Sequence, residues 1–264
     1  MKKSSIVLSM CLAGAGLGST FTHADTLEVI SSGGFYSSME KLIPLFEKQT
    51  GHTVHLSSGS SMGASPTAIP NRLDRGERFD VVMLAAPELS KLAEKGYVDP
   101  DSQRALVNSS IGMAVPKGAP KPDISSAAKF EQVLLNAKHI GYSASASGTH
   151  LEKDVFPSFP PVEYKLISSK AEKVVGDRVA KRIAEGQFDI GFQQISEIKP
   201  FTGQYGQVDL VGPIPAPYQK VTVFAAGIGK NSEHAKAAKE LIQFVKSPQA
   251  TQTIEEQGLE QVKQ

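Results

Sequence analysis

The chain of 264 residues contains no tryptophan and a single cysteine, Cys11. Disulfides cannot hold it together, and no thiolate metal centre can form. Its six histidines show no zinc-site spacing. A charge of one sign is lacking too: 28 basic against 27 acidic residues give a net charge of +1, so no basic field points to nucleic acid. No apolar run beyond the N-terminal region reads as a membrane span, so stable membrane insertion is not expected. Neither a Walker loop nor a complete GxGxxG loop occurs, which argues against nucleotide chemistry. Metal and covalent hydrolase chemistry are likewise not expected, and no cofactor is called for.

What is present starts with "MKKSSIVLSMCLAGAGLGSTFTHAD". Lys2 and Lys3 precede an apolar, small-residue run from Ile6 to Gly18, and Thr22-His23-Ala24 has the small-x-small form of a cleavage site. This is the pattern of a secretory signal peptide over residues 1–24, cleaved after Ala24. Met10 is a poor residue before a lipidated cysteine, and the apolar run continues past Cys11, so lipid attachment is not expected. Removing 24 of 264 residues leaves 240, with 26 basic and 27 acidic side chains and no cysteine. A periplasmic protein standing on its own core follows, with length for one large domain or two lobes.

Apolar runs and helical periods then alternate. "LEVIS" reads as a strand; Met39, Leu42, Ile43 and Phe46 mark a helix closed by Gly51, with a kink expected at Pro44. "HTVHLS", "FDVVMLA", "IGMAV", "HIGYS", "EYKLISS", "FDIGFQQIS", "VDLVG" and "KVTVFAAGIG" read as strands. "PTAIPNRLDRG", "PELSKLAEKG", "AAKFEQVLLNAK", "SGTHLEKDVF", "VVGDRVAKRIAEG" and two terminal segments read as helices. This alternation predicts an α/β fold of mostly parallel sheets with helices on both faces. "RLDRGERFDVVM" and "RIAEGQFDIGF" echo each other, one in each half. The expected architecture is two lobes facing a cleft: residues 25–108 completed by 223–264, and residues 109–222.

Ligands in such sheets bind beyond the carboxyl ends of strands, where helix N-termini offer free amides. Four loops have that address. "SSGGFYSS" supplies Gly33 and Gly34, whose backbone approaches a ligand closely; "SSGSSMG" supplies Ser61. "YSASASGTH" holds Tyr142, Ser147 and His150, and "GFQQISE" holds Gln193, Gln194 and Glu197. Of the histidines, only His150 lies in a candidate binding loop. A small anion is the ligand these loops suggest.

At these loops the mature chain resembles the periplasmic molybdate-binding proteins of ABC transporters, which have the two-lobed type 2 substrate-binding fold. The supporting stretches are "LEVISSGGFYSSMEKLIPLFEKQTGHTVHLSSGSS", "RGERFDVVMLA" and "KELIQFVKSPQA". That family holds its oxyanion with two serines and a tyrosine. One serine position falls on Ser61, the other on Gly34, and the tyrosine near Gln194, so two of the three side-chain ligands are replaced. A closer similarity, to the exported aconitate isomerases, runs through "SMGASPTAIPNRL", "GAPKPDIS", "YSASASG" and "GFQQISE". These enzymes interconvert trans- and cis-aconitate. Two positions depart from their pattern, which has aspartate where Ala144 stands and tyrosine where His150 stands.

That resemblance implies an allylic proton shift, which needs a base over the substrate methylene and donors for the charge that develops. The tricarboxylate is expected to be held by Gly33, Gly34, Ser61, Ser147, Gln193 and Gln194, with Arg72 as a bidentate partner. His150 is the first choice as base on chemical type, with Glu197 and Tyr142 as the others. The second reading, from another class, is a non-catalytic binding subunit that delivers molybdate or another small anion to an ABC permease.

Overall fold

The computed structural model describes residues 24–262, so the expected leader, except for Ala24, lies outside the described residues. The chain lays down strands β1 (Thr26–Ser32), β2 (Thr53–Gly59), β3 (Val81–Ala85), β4 (Arg104–Ser109), β5 (Ile111–Pro116) and β6 (Ile140–Ser143). β7 (Ala171–Val174), β8 (Ile190–Gln194), β9 (Val208–Pro213), β10 (Thr222–Ile228) and β11 (Leu259–Gln261) follow. Its helices are α1 (Gly33–Thr50), α2 (Ile69–Asp74), α3 (Ala86–Glu94), α4 (Ala127–Asn136), α5 (Ala146–His150), α6 (Pro161–Ser168), α7 (Val179–Ala184), α8 (Ile195–Ile198), α9 (Ala235–Val245) and α10 (Pro248–Glu256).

These elements form two sheets, each the centre of a lobe. The first has six strands in the order β11-β4-β10-β3-β1-β2, and the second five in the order β7-β6-β8-β5-β9. The chain crosses from the first to the second at Ser110, between β4 and β5, and returns between β9 and β10. Helices cover both faces of each sheet. Leu27, Val29, Val81 and Met83 bury one face of the first sheet against α1 and α9, while Ile30, Val82 and Leu84 bury the other against α2 and α3. In the second sheet Ile140 and Phe192 meet α4 and α6, and Ala114 and Val174 meet α7. Alternate side chains on a strand point to opposite faces, so a sheet covered twice must be apolar throughout.

Two sequence expectations need correction. The sheets are mixed rather than mostly parallel: β1 runs parallel to β2 and β3, and β6 to β7 and β8. The strands beside the crossings, β4, β5, β9 and β10, pair antiparallel. Parallel pairing needs a long crossover, usually a helix, and these strands are laid by chain passing directly between the lobes. "EYKLISS" is not a strand but most of α6, which starts at Pro161 in the first turn, where a missing N–H is harmless. The strand lies just beyond it, at Ala171–Val174, in a stretch left unassigned except for Val174, which had opened the expected helix. Pro44 lies on the exposed side of α1 (Gly33–Thr50); water can satisfy the carbonyl that the proline leaves unpaired.

Candidate active site

Between the lobes lies a cavity of about 360 Å³. Gly33 at the start of α1 and the segment 58–67 after β2 form its first-lobe wall. Residues 143–145, Val174, 176–178, Lys181, Gln193 and Glu197 form the wall from the second lobe. Each stretch lies at or just beyond the carboxyl end of β1, β2, β6, β7 or β8, as α/β topology favours.

The first-lobe loop is braced from within. Ser60 Oγ donates to the Met62 carbonyl at 2.8 Å, and Asn71 Nδ2 donates to the carbonyls of Gly63 and Ser65 at 3.1 and 2.8 Å. Ser65 and Thr67 share a hydroxyl hydrogen bond of 2.8 Å. Gly63 has φ +106°, and a Cβ there would stand 3.1 Å from the Ala144 carbonyl across the cleft. Backbone conformation and close approach both call for glycine at that position.

Glu197 is the chemically distinctive group in this cavity. It is 8 % exposed, on the short helix α8 that follows β8. Its carboxyl abuts Gly33, where any Cβ would overlap Glu197 Oε1. Burial raises its pKa to about 7, against the pull of the Arg178 guanidinium and of hydrogen bonding from the Gln193 side chain and the Gln194 backbone. Loss of hydration is the dominant cause, because it penalises the charged form. A carboxyl with a pKa near 7 is ionised in half the molecules at neutral pH, the range in which a general base works best.

Four of the ten candidate site residues expected from sequence behave otherwise. His150 does not line the cavity: its Nδ1 meets Asp154 Oδ2 at 2.8 Å and its Nε2 meets the Tyr218 carbonyl at 3.0 Å. Both ring nitrogens are thus turned to acceptors on the second lobe, and neither to the cavity. Tyr142 is packed into the second-lobe core, edge-on to Phe156 at 5.6 Å. Burial and the neighbouring Glu152 push its hydroxyl up to about 12, far from a working base. Arg72 is tied to Glu77, with Nη2–Oε2 at 2.7 Å and Nε–Oε2 at 2.8 Å, and its Nη1 donates to the Ser58 carbonyl at 3.1 Å. Gly34 turns its Cα toward Phe224, where a Cβ would overlap the ring.

Three more stand one layer behind the wall. Ser61, 1 % exposed, accepts a hydrogen bond from the Ala85 amide at 3.1 Å. It is the centre of Gly59-Ser60-Ser61-Met62-Gly63, a string with the spacing of a hydrolase nucleophile elbow. With its hydroxyl turned inward and no histidine bonded to it among the described residues, it is not set up as a nucleophile. Ser147 shares a bond of 2.9 Å with Ser143, whose hydroxyl also accepts from the Gly148 amide at 3.2 Å. Gln194 accepts from Ser109 Oγ at 2.7 Å and donates to Thr222 Oγ1 at 3.0 Å, joining both strands at which the chain crosses between lobes. The cavity brings together Gly33, Gln193 and Glu197. It adds Arg178, which sequence reasoning missed.

A larger depression of about 690 Å³ lies on the second lobe alone, around Val115, Pro120 and Val133. Its charged groups are already engaged: Lys129 binds Asp123 at 2.6 Å, and Asp189 accepts from the Lys138 and His139 amides. Among the described residues no group of three or more His, Cys, Asp or Glu gathers as a metal site, and no helix is long and apolar enough to cross a membrane.

The sequence model of the bacterial extracellular solute-binding proteins matches residues 27–260. The chain belongs to this family. Its solved neighbours include the periplasmic molybdate-binding protein of Azotobacter vinelandii (TM-score 0.67, 23% identity, 90% of this chain and 100% of that one). The sulfate-binding protein SubI of Mycobacterium tuberculosis H37Rv is another (TM-score 0.71, 17% identity, 90% of this chain and 87% of that one). At these identities the likeness is one of fold. A nearer relative in sequence is the aconitate isomerase of a Pseudomonas species, 40% identical over 237 residues, which cover 90% of this chain and 88% of that enzyme. Fold alone does not separate carriers from enzymes within this family, so the cavity's own chemistry carries the weight.

Proposed function

We propose that the protein is an aconitate isomerase, exchanging trans- and cis-aconitate by an allylic proton shift in the interlobe cavity. The observation that carries this reading is Glu197, a buried carboxyl with a pKa of about 7 facing an anion-sized hollow. A carboxyl half ionised at neutral pH can take up a proton and give it back, which delivery of an anion does not require. The relative at 40% identity supports the choice of substrate.

In the reaction, the Glu197 carboxylate removes a proton from the substrate methylene. The electron pair left behind spreads over three carbons and onto the terminal carboxylates. The proton on Glu197 then returns to the carbon at the far end, and the double bond has moved by one position. Atoms and charge balance within enzyme and substrate, and no redox step is involved. Backbone amides at Gly33, with the hydroxyls of Ser58 and Ser145 on opposite walls, hold the carboxylates. Gly34, Ser61 and Ser147 support that wall from behind, and Gln194 holds α8 to the crossing strands. Residues 25–108 with 223–264 and residues 109–222 act as the two bodies that enclose the substrate. The protein is exported, with a mature chain beginning at Asp25; N-terminal sequencing of the periplasmic fraction checks this.

The deciding experiment follows purified protein and trans-aconitate in D2O by proton NMR. The expected result is cis-aconitate, with deuterium entering the allylic positions to the extent that the Glu197 carboxyl exchanges its proton with solvent before giving it back. Absence of product at high protein concentration overturns the reading in favour of the carrier. Calorimetric titration with molybdate, sulfate and small carboxylates would then identify its cargo.

A further inference from the structure

Two cations line the cavity among the described residues, Arg178 and Lys181, and they are differently employed. Lys181 is bonded to Asp177 at 3.2 Å and lies 3.9 Å from Glu185. Asp177 also takes Arg182 Nε at 3.0 Å. Arg178, half-buried between them in sequence, forms no ion pair among the described residues, even with Glu197, whose titration its charge lowers. Its guanidinium lies over the Phe201 ring, 5.9 Å from the centroid. Stacking restrains a planar guanidinium without using any of its donors.

Its position is built by the β7–α7 connection. Gly176 at φ +72° turns the chain, with its would-be Cβ 3.5 Å from Ser65 Oγ of the opposite lobe. Arg178 follows in extended conformation immediately before α7. The guanidinium is thus presented at the carboxyl end of a strand, on the same cavity as Glu197 but not bonded to it. An unpaired fork of N–H donors beside a buried base suits a planar carboxylate, which accepts two parallel bonds, better than a tetrahedral oxyanion bound by neutral donors alone.

We propose that Arg178 is the carboxylate clamp of this cavity: its guanidinium takes, oxygen by oxygen, the substrate carboxylate on the carbon that gives its proton to Glu197. Charge from the departing proton flows onto that carboxylate, so the same two bonds select the substrate and acidify the C–H bond. The assignment rests on the isomerase reading for the identity of the acid, and its test separates the two.

Calorimetry with propane-1,2,3-tricarboxylate, which has no double bond to move, reads the clamp without turnover. Arg178→Ala is expected to weaken its binding about 10- to 100-fold, the range for a lost charge-assisted pair. In turnover of trans-aconitate, Arg178→Ala should lose both kcat and affinity, and millimolar guanidinium ion should restore part of the rate. Arg178→Lys, which keeps the charge but not the fork, should fall between. The alkaline-rising limb of the rate profile should move to higher pH in Arg178→Ala, because the positive charge that favours the Glu197 carboxylate is gone. Equal binding of the tricarboxylate by wild type and a folded Arg178→Ala overturns the clamp, as does failure of the wild type to bind it. Binding that depends on Arg178 without any isomerisation upholds the clamp and overturns the isomerase.

Discussion

Two stretches of this molecule are built alike and end differently. In the first lobe α2 closes at Gly76 (φ +89°), with the Gly76 amide donating to Leu73 and the Glu77 amide to Arg72. In the second, α7 closes at Gly186 (φ +78°), with the Gly186 amide donating to Ile183 and the Gln187 amide to Arg182. A buried phenylalanine follows each, Phe79 and Phe188. Then comes an aspartate whose carboxylate holds the start of a neighbouring strand. Asp80 accepts from the Glu28 amide at 2.8 Å, and Asp189 from those of Lys138 and His139 at 2.9 and 2.6 Å. The strands that follow, β3 and β8, are buried throughout. Only past their ends do the two diverge. β3 runs into Ala86-Pro87 and an ordinary helix, whereas β8 runs into Gln194-Ile195-Ser196-Glu197. The shared code builds scaffold; three residues after the strand decide whether its end does chemistry.

Breaking the divergent end should give the largest effect. Glu197→Gln preserves shape and removes the base, and should lower kcat for trans-aconitate by about 10²–10⁴-fold. His150→Gln, outside the cavity, should leave kcat within about threefold in the same NMR assay. Gly33→Ala places a methyl where the Glu197 carboxyl sits. A displacement of that size costs about 10²-fold in rate, with little change in melting temperature if the carboxyl swings aside.

The same carboxyl makes stability depend on pH. The Glu197 pKa is raised from 4.5 to about 7 in the folded state. Below pH 4.5 both folded and unfolded chains hold the proton, and the group contributes nothing. Between about 4.5 and 7 the folded state alone keeps it, so stability falls by about 1.4 kcal/mol per pH unit. Above 7 the loss levels off at about 3 kcal/mol. Glu197→Gln should therefore melt higher than wild type at pH 8 and equally at pH 4, while activity in wild type rises through pH 7. A mutant that is dead yet more stable, at alkaline pH only, is the signature of a strained functional group. A flat difference across pH would reassign Glu197 to structure.

The scaffold was largely legible in the sequence because its signals are local. Helix-closing glycines, the apolar spacing of α1 and the uniform burial of β3 and β8 are each written within a few residues. The candidate loops were found by the same means, as serine- and glycine-rich stretches after strands. What escaped depends on contacts between distant segments. Whether a serine hydroxyl faces a cavity or an amide behind it, as with Ser61 and Ala85, is a rotamer choice that composition does not reveal. Glu197 stood among the candidate bases, but its burial by Gly33 of the other lobe could not be read from its neighbours in sequence. Arg178 was lost through an error of register. With "EYKLISS" taken as the strand, Arg178 fell inside the expected helix "VVGDRVAKRIAEG" and not at a strand end. Placing β7 at Ala171–Val174 moves it to a strand end on the cavity.

Where the two units agree, mutations should agree. Asp80→Ala and Asp189→Ala each leave strand-start amides unpaired, and each should cost about 1–3 kcal/mol. Each carboxylate accepts two bonds, Asp80 taking Ser232 Oγ at 2.6 Å beside the Glu28 amide. Asp80 is buried and Asp189 only half-buried, however, so the cost at Asp80 should be the larger. Denaturant unfolding of both variants measures the pair. Costs that differ several-fold in the other direction would mean the resemblance between the units is one of shape and not of energetics.

The smallest effect belongs to the arginines that open the two turns, Arg72 and Arg182. Each ends its helix tied to a carboxylate, Arg72 to Glu77 at 2.7 Å and Arg182 to Asp177 at 3.0 Å, with partly exposed partners. Solvent screens such pairs, and each is worth about 0–1 kcal/mol. Arg72→Met should therefore shift the denaturation midpoint slightly and, through the lost bond to the Ser58 carbonyl, raise KM for trans-aconitate less than the corresponding change at Arg182. Arg182→Met should be no worse in stability yet raise KM, because it hands Asp177 over to the adjoining Arg178 and diverts the clamp from substrate. The two arginines sit in the same turn and differ chiefly in where the carboxylate partner lies: Asp177 on the cavity, Glu77 outside its lining.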